Sequence, residues 1–113
     1  MSARSAGLAG VVQAAPVFAA LGDETRLALV ARLCARGPQS IAQLTEAVPV
    51  TRQAVTKHLD VLAGAGLVHD ARRGRERVFD LDTARLEQAR RALSRISEQW
   101  DDALARLQAF VEE

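Results

Sequence analysis

Apolar residues recur along this chain at a helical period, give way once to a short alternating stretch, and then return to a helical period. The first clear run is Val11 to Leu21, with Phe18 and Leu21 on one side. Pro16 within it either opens or kinks the helix, because proline removes a backbone donor. Before it, Met1 to about Gly10 is rich in Ser, Ala and Gly and reads as a frayed start. Gly22-Asp23 closes the first element and opens the next, glycine suiting the position after a helix and aspartate the N-cap. A second helix is predicted from about Glu24 to Ala35. Leu27, Val30, Ala31 and Cys34 follow the i, i+3, i+4, i+7 spacing, and Leu29 and Leu33 widen the apolar face. A helix this apolar is expected to be central, with Cys34 a buried structural thiol.

Gly37-Pro38 stops that helix. Ser40-Ile41-Ala42-Gln43 fits a capping box and predicts a short third helix, Ser40 to Ala47, with Ile41 and Leu44 turned inward. Pro49 closes it, and Thr51 caps a fourth helix whose stripe is Val55, Leu59 and Leu62. Arg52, Gln53, Thr56, Lys57 and Asp60 lie off that stripe, and Gly64 and Gly66 end the helix. Two β-prone stretches follow, Leu67 to Arg72 and Glu76 to Leu81, joined by Arg73-Gly74-Arg75 as a hairpin and anchored by Val78, Phe79 and Leu81.

Asp82 or Thr83 then caps a long last helix over residues 83–112. Leu86, Leu93, Trp100 and Leu107 are spaced by seven, as are Ala89, Ile96, Ala103 and Phe110. The two series interleave as an a/d seam. A seam about 40 Å long, at 1.5 Å per residue, exceeds what so small a headpiece covers. Part of it is expected to bury against a second copy; the alternative is a helix folded back on its own domain. The fold class is therefore mainly α with a small β-hairpin, a winged helix-turn-helix of about five helices and a two-stranded wing. The chain reads as one domain, residues 1–113, ending in a dimerisation helix.

Composition sharpens this only in places. Hydrophobic residues make up 49% of the 113, enough for one modest core, and aromatics only 4%, so Leu, Val and Ala carry the packing. The net charge of +1 is uninformative, but its distribution is not. Thr51 to Arg77 holds six Lys or Arg against three acids, whereas Thr83 to Glu113 holds five Arg against six acids. The basic excess sits in the middle of the chain, which points to nucleic acid. The single cysteine excludes a disulfide within one chain. Without a signal-like h-region or a membrane-length apolar run, a soluble, cytoplasmic protein is expected. No phosphate-cradling loop, nucleophile–base pair or metal-ligand cluster stands out, which argues against an enzyme and against a cofactor.

Two short helices with a tight turn, followed by an arginine-tipped hairpin, suit double-stranded DNA. The major groove admits one helix, whose N-terminal side chains reach base edges. Gln53 and Thr56 are the candidate base readers, and Arg52 and Lys57 the candidate phosphate contacts. Ser40 and Thr51, at the starts of the two helices, belong to the same candidate set. His58 lies beside the apolar stripe and reads as packed or backbone-bonded near the phosphates, while Asp60 should point away from DNA. In the wing, Arg75 and Arg77 should share one strand face, with Arg72 and Arg73 the further contacts.

The segment from Ala20 to Leu27, ALGDETRL, resembles the opening of ArsR/SmtB-type repressors. Thr51 to Val68, TRQAVTKHLDVLAGAGLV, is similar to that family's recognition helix, and RRGRER from Arg72 to Arg77 resembles its wing. Glu24 stands where many members have proline. The resemblance runs from about Phe18 to Leu81; over the last helix it rests on position and length. It implies operator binding by a homodimer, usually repression, often relieved by an unknown small-molecule or protein effector. It places the interface on the first and last helices, through Phe18, Leu86, Leu93, Ile96, Trp100, Leu104, Leu107 and Phe110. Symmetry then sets two recognition helices roughly 34 Å apart on a near-palindromic site. The family's metal sites use paired cysteines on the third helix, or histidine with acids on the last. Neither set is present here, which points to the non-metal-sensing branch. Two alternatives stay open: sensing of metal or oxidant through an unfamiliar site, such as Cys34 paired across a dimer, and a winged-helix module for protein assembly that does not bind DNA.

Overall fold

The computed structural model describes residues 9–112. Helical backbone is already present at residues 9–13, two residues before the expected start. The remainder of the expected frayed start, residues 1–8, lies outside the described residues. Ala14 then forms a turn, and α1 runs Ala15–Leu21 with Pro16 in its first turn. The proline therefore opens a helix, at a position whose N–H has no helical partner in any case.

Helix α2 is Glu24–Arg36, and its N-cap Asp23 accepts a hydrogen bond from the Arg26 amide at 2.9 Å. Its buried line is Leu29, Val30 and Leu33. This corrects the expectation for Cys34, which is exposed, as is Leu27. Both candidate stripes contain Val30 and both have helical spacing, so periodicity could not separate them. The packing of α1, the recognition helix and the sheet selected the Leu29–Leu33 face.

Strand β1, Gln39–Ser40, precedes α3, Ile41–Glu46. Ser40 ends the strand and caps the helix: its hydroxyl accepts from the Gln43 amide, and the Gln43 side chain accepts from the Ser40 amide. Helix α4 is Arg52–Gly64, capped by Thr51, which accepts from the Ala54 amide. It ends in a Schellman arrangement. Gly66 has φ +79°, its amide donates to Ala63 O, and the Leu67 amide reaches back to Leu62 O. Leu62 and Leu67, the apolar pair of that motif, are both fully buried.

Strands β2, Val68–Arg73, and β3, Glu76–Leu81, pair antiparallel from Val68–Leu81 to Arg73–Glu76. Strand β3 is central, because β1 pairs on its other side through Gln39–Phe79 and Ser40–Val78. The sheet is thus three-stranded where a two-stranded wing was expected. Two residues carry no detectable alternation, so β1 existed only once β3 offered a free edge. The fold remains mainly α with a small antiparallel sheet, a winged helix-turn-helix.

The core gathers Val17, Leu29, Leu33, Leu44, Val55, Leu59, Leu62 and Leu67 from helices α1 to α4 and the turn before β2. The last helix, α5, is Thr83–Glu112, with Asp82 accepting from the Arg85 amide at its start. Leu86 packs against the core and Ala89 and Ala92 are buried, but from Leu93 to Glu112 every residue is exposed. The radius of gyration, 18.1 Å, far exceeds the roughly 13 Å expected of a compact chain this long. The excess is the projecting helix, which leads along a 65 Å long axis.

Candidate nucleic-acid interface

The α3–α4 pair sets the recognition surface. Val55, Leu59 and Leu62 press α4 onto the core, which turns Arg52, Gln53, Lys57 and Asp60 to solvent and leaves Thr56 half-buried. The exposed Gln53 side chain has no hydrogen-bond partner among the described residues, so its amide oxygen and NH₂ are both available. The Thr56 hydroxyl donates to Arg52 O at 3.0 Å, which leaves its lone pairs and methyl group facing outward. Thr51 and Ser40 spend their oxygens as cap acceptors, and Ser40 is largely buried. Asp60 corrects an expectation. At seven residues from Gln53 it returns to the same helix face, about 10 Å towards the C-terminus. Its negative charge is separated from Gln53 by distance along the helix rather than by orientation.

His58 points sideways, not to the backbone. Its Nδ1 lies 3.4 Å from Arg26 Nη1 and 3.8 Å from Asp23 Oδ2. Arg26 in turn donates through Nε to Ala20 O at 2.6 Å. One guanidinium therefore joins the end of α1, the start of α2 and the middle of α4. The Arg26 amide bonded to Asp23, with the nearby Arg26 and His58 charges, holds the Asp23 carboxyl below its ordinary value.

In the wing, Gly74 and Arg75 form a two-residue turn. Gly74 has φ +66° and Arg75 does not share the positive sign, the pattern of a type II′ hairpin. Arg75 is consequently a tip residue and not a strand residue, so strand alternation does not set its direction, although it borders one cleft together with Arg77. Arg77 is committed within the wing: its Nε donates to Asp70 at 2.8 Å, and its guanidinium sits 5.1 Å from the Phe79 ring centre. That pairing also offsets Arg72, which stands directly opposite Arg77 across the strands. Arg73 faces Glu76, and both are exposed. Arg75 has no carboxylate partner among the described residues.

Tertiary packing brings part of this set together. Ser40, Arg52, Arg75 and Arg77, with Glu76, line one cleft of about 400 Å³ between the start of α3, the start of α4 and the wing. Arg52 and Arg75, which form no ion pair among the described residues, give this concavity two uncommitted arginines suited to a phosphate. Gln53, Thr56 and Lys57 lie on α4 outside that cleft, and Arg72 borders a second one with Asp70 and Arg77. Two residues that were not among the site candidates prove structurally central. Arg26 is one. The other is Arg85, which donates from α5 to Ala65 O, the C-cap of α4, at 3.0 Å.

A helix-turn-helix domain family model matches residues 21–71, the span that carries α2, α3 and α4 but not the wing arginines. An HTH-type transcriptional regulator of Mycobacterium tuberculosis is 45% identical over 85 residues, covering 75% of this chain and 76% of its own. An ArsR-like transcriptional regulator from Rhodococcus sp. RHA1 superposes with a TM-score of 0.71 at 40% identity, over 88% of this chain and 92% of that one. The chain belongs to the ArsR family of winged helix-turn-helix regulators. It is a DNA-binding transcriptional regulator, and its relatives are regulators rather than enzymes. The arsenical resistance operon repressor of Bacillus subtilis is 35% identical over 65 residues, 58% of this chain and 62% of its own. Among the described residues of this ArsR-family chain, no helix is long and apolar enough to cross a membrane. No three His, Cys, Asp or Glu side chains among them converge on a common point.

Proposed function

We propose that this chain is a homodimeric, operator-binding repressor of the cytoplasm that works without the family's familiar metal sites. The observation that carries the reading is the bare a/d seam of α5 with the adjoining Leu104. Leu93, Ile96, Trp100, Leu104, Leu107 and Phe110 are all exposed in the single chain. A contiguous apolar stripe of this length is what a partner surface looks like before it is covered. Phe18 and Leu86 pack partly on their own core, so they would border the interface while the distal residues form its centre. In this reading residues 1–113 are one domain and α5 is its dimerisation helix. The repressor role draws support from the arsenical repressor relative.

Two α4 helices related by a twofold axis would read a near-palindromic site. Gln53 and Thr56 are assigned to bases, with Arg52, Lys57 and the wing arginines on phosphates. The exposed position of Cys34 supports a second reading, oxidation of that thiol between chains. Diamide altering DNA affinity in the wild type, and not in Cys34→Ser, would support it.

The test of the main reading is fluorescence anisotropy with the duplex upstream of the protein's own gene and a scrambled duplex, at ~150 mM salt. A preference on the order of 10³-fold or more, with two chains per duplex, is expected. One chain per duplex at saturation would overturn the homodimer. Absence of any binding at low salt would overturn the operator-binding reading.

A further inference from the structure

A second cleft, remote from the base-reading surface, lies between the helical segment 9–13 and α5. It measures about 260 Å³ and is lined by Gly10, Gln13, Gln88, Arg91, Ala92 and Arg95. No acid lines it. Arg91 and Arg95 form no ion pair among the described residues, whereas neighbouring Arg90 is held by Glu87. The residues preceding the described segment, MSARSAGL, contain no acid either, so they bring no counter-charge. Arg85 Nη1 donates to Gln88 Oε1 at 2.7 Å, which leaves the Gln88 amide NH₂ as that side chain's free group. Two guanidinium groups and a glutamine amide donor thus border one small concavity, and Gln13 can add another donor.

From these observations we propose that this cleft binds a small organic anion bearing a carboxylate or phosphate group, and that the bound anion is sensed by the recognition helix. Bidentate guanidinium donors are matched to either anion. The volume falls just below the range of drug-sized pockets, which suits a small metabolite. The two arginines also point away from the largest residues of the seam. At ~100° per residue, Arg91 and Arg95 lie roughly 140–180° around α5 from Leu93 and Trp100. The route to α4 is short. A ligand held by Gln88 acts on Arg85, and Arg85 Nε holds Ala65 O at the end of α4. Arg85 also packs on Gly66, where an added Cβ would come within 3.3 Å of its Nε. An anion that draws Gln88 or Arg85 into the cleft loosens the clamp on the recognition helix. The regulatory consequence rests on the operator-binding reading; the site itself does not.

The experiment is calorimetric titration of the full chain, without DNA, with inorganic phosphate and separately with citrate at ~150 mM salt. The expected result is saturable binding of at least one probe, one equivalent per chain. It should weaken at least tenfold in Arg91→Gln/Arg95→Gln and stay unchanged in Arg106→Gln. Phosphate alone or citrate alone would assign the headgroup. No saturable binding of either, or binding that survives the double substitution, would overturn the site. Loss of duplex binding by the double variant in the absence of either probe would assign the arginines to DNA instead. The coupling is read without DNA by amide hydrogen exchange. The bound probe should change protection at Ala65 to Leu67, and unchanged exchange there overturns the link to α4.

Discussion

Trp100 offers the sharpest test of how the last helix is used. It is 67% exposed and lies outside the core. Of the ~250 Å² an indole side chain can bury, roughly 170 Å² is therefore available to a partner. If half of that is covered, burial contributes about 2 kcal/mol per chain at ~25 cal/mol per Å², and about 4 kcal/mol per symmetric dimer. Trp100→Ala should then raise the dimer Kd by about 10³-fold, since ~1.4 kcal/mol is tenfold. The folding of each chain should be almost untouched, because Trp100 lies outside the core and Ala is the better helix former. The assay is sedimentation equilibrium over a wide concentration range, with circular dichroism as the control for helix content. An unchanged dimer Kd would refute the assignment of the seam. A monomer that unfolds more easily would also refute it, because the indole would then be supporting its own domain.

Gln53→Ala should relax base preference at the native operator by about 1–3 kcal/mol, read as a narrowed gap between cognate and scrambled duplex affinities. Arg75→Ala should weaken all duplexes alike and lower the slope of log affinity against log salt by about 1; a change confined to sequence preference would reverse its assignment. Leu59→Ala, at a fully buried core position on α4, should cost about 2–5 kcal/mol in urea unfolding. Asp23 has its carboxyl held below the ordinary value by the Arg26 amide. Its contribution to stability is present above the unfolded-state pKa and is lost as pH falls through the lower folded one. Asp23→Asn keeps a capping oxygen but cannot titrate, so its melting temperature should fall less steeply than the wild type's at strongly acidic pH.

Much of the candidate site was legible because its signals are local. Asp23, the Ser40–Gln43 pair, Thr51 and Asp82 each cap within three residues of themselves, so their roles follow from spacing alone. The Val55–Leu59–Leu62 stripe had a single possible buried side, and it fixed which side chains of α4 face solvent. The seam of α5 was equally plain, because apolar residues at a sustained heptad spacing leave only one face.

Where two readings had equal local merit, only packing could choose. Helix α2 carries apolar residues on more than one side, and the choice of the Leu29–Leu33 face exposed Cys34 and Leu27. Strand β1 is too short to announce itself and forms because β3 has an unfilled edge. Arg73 joined β2 because the two-residue turn at Gly74 and Arg75 shortened the link by one residue. Arg26 to His58 and Arg85 to Ala65 span 32 and 20 residues of chain, and no periodicity encodes contacts at such separations. The helices, their caps and the hairpin could be read from the chain alone, since those depend on interactions within a few residues. The tertiary structure alone decided which apolar face is buried, which arginines share a cleft and which clamp the recognition helix, since those depend on residues that meet only after the chain has closed.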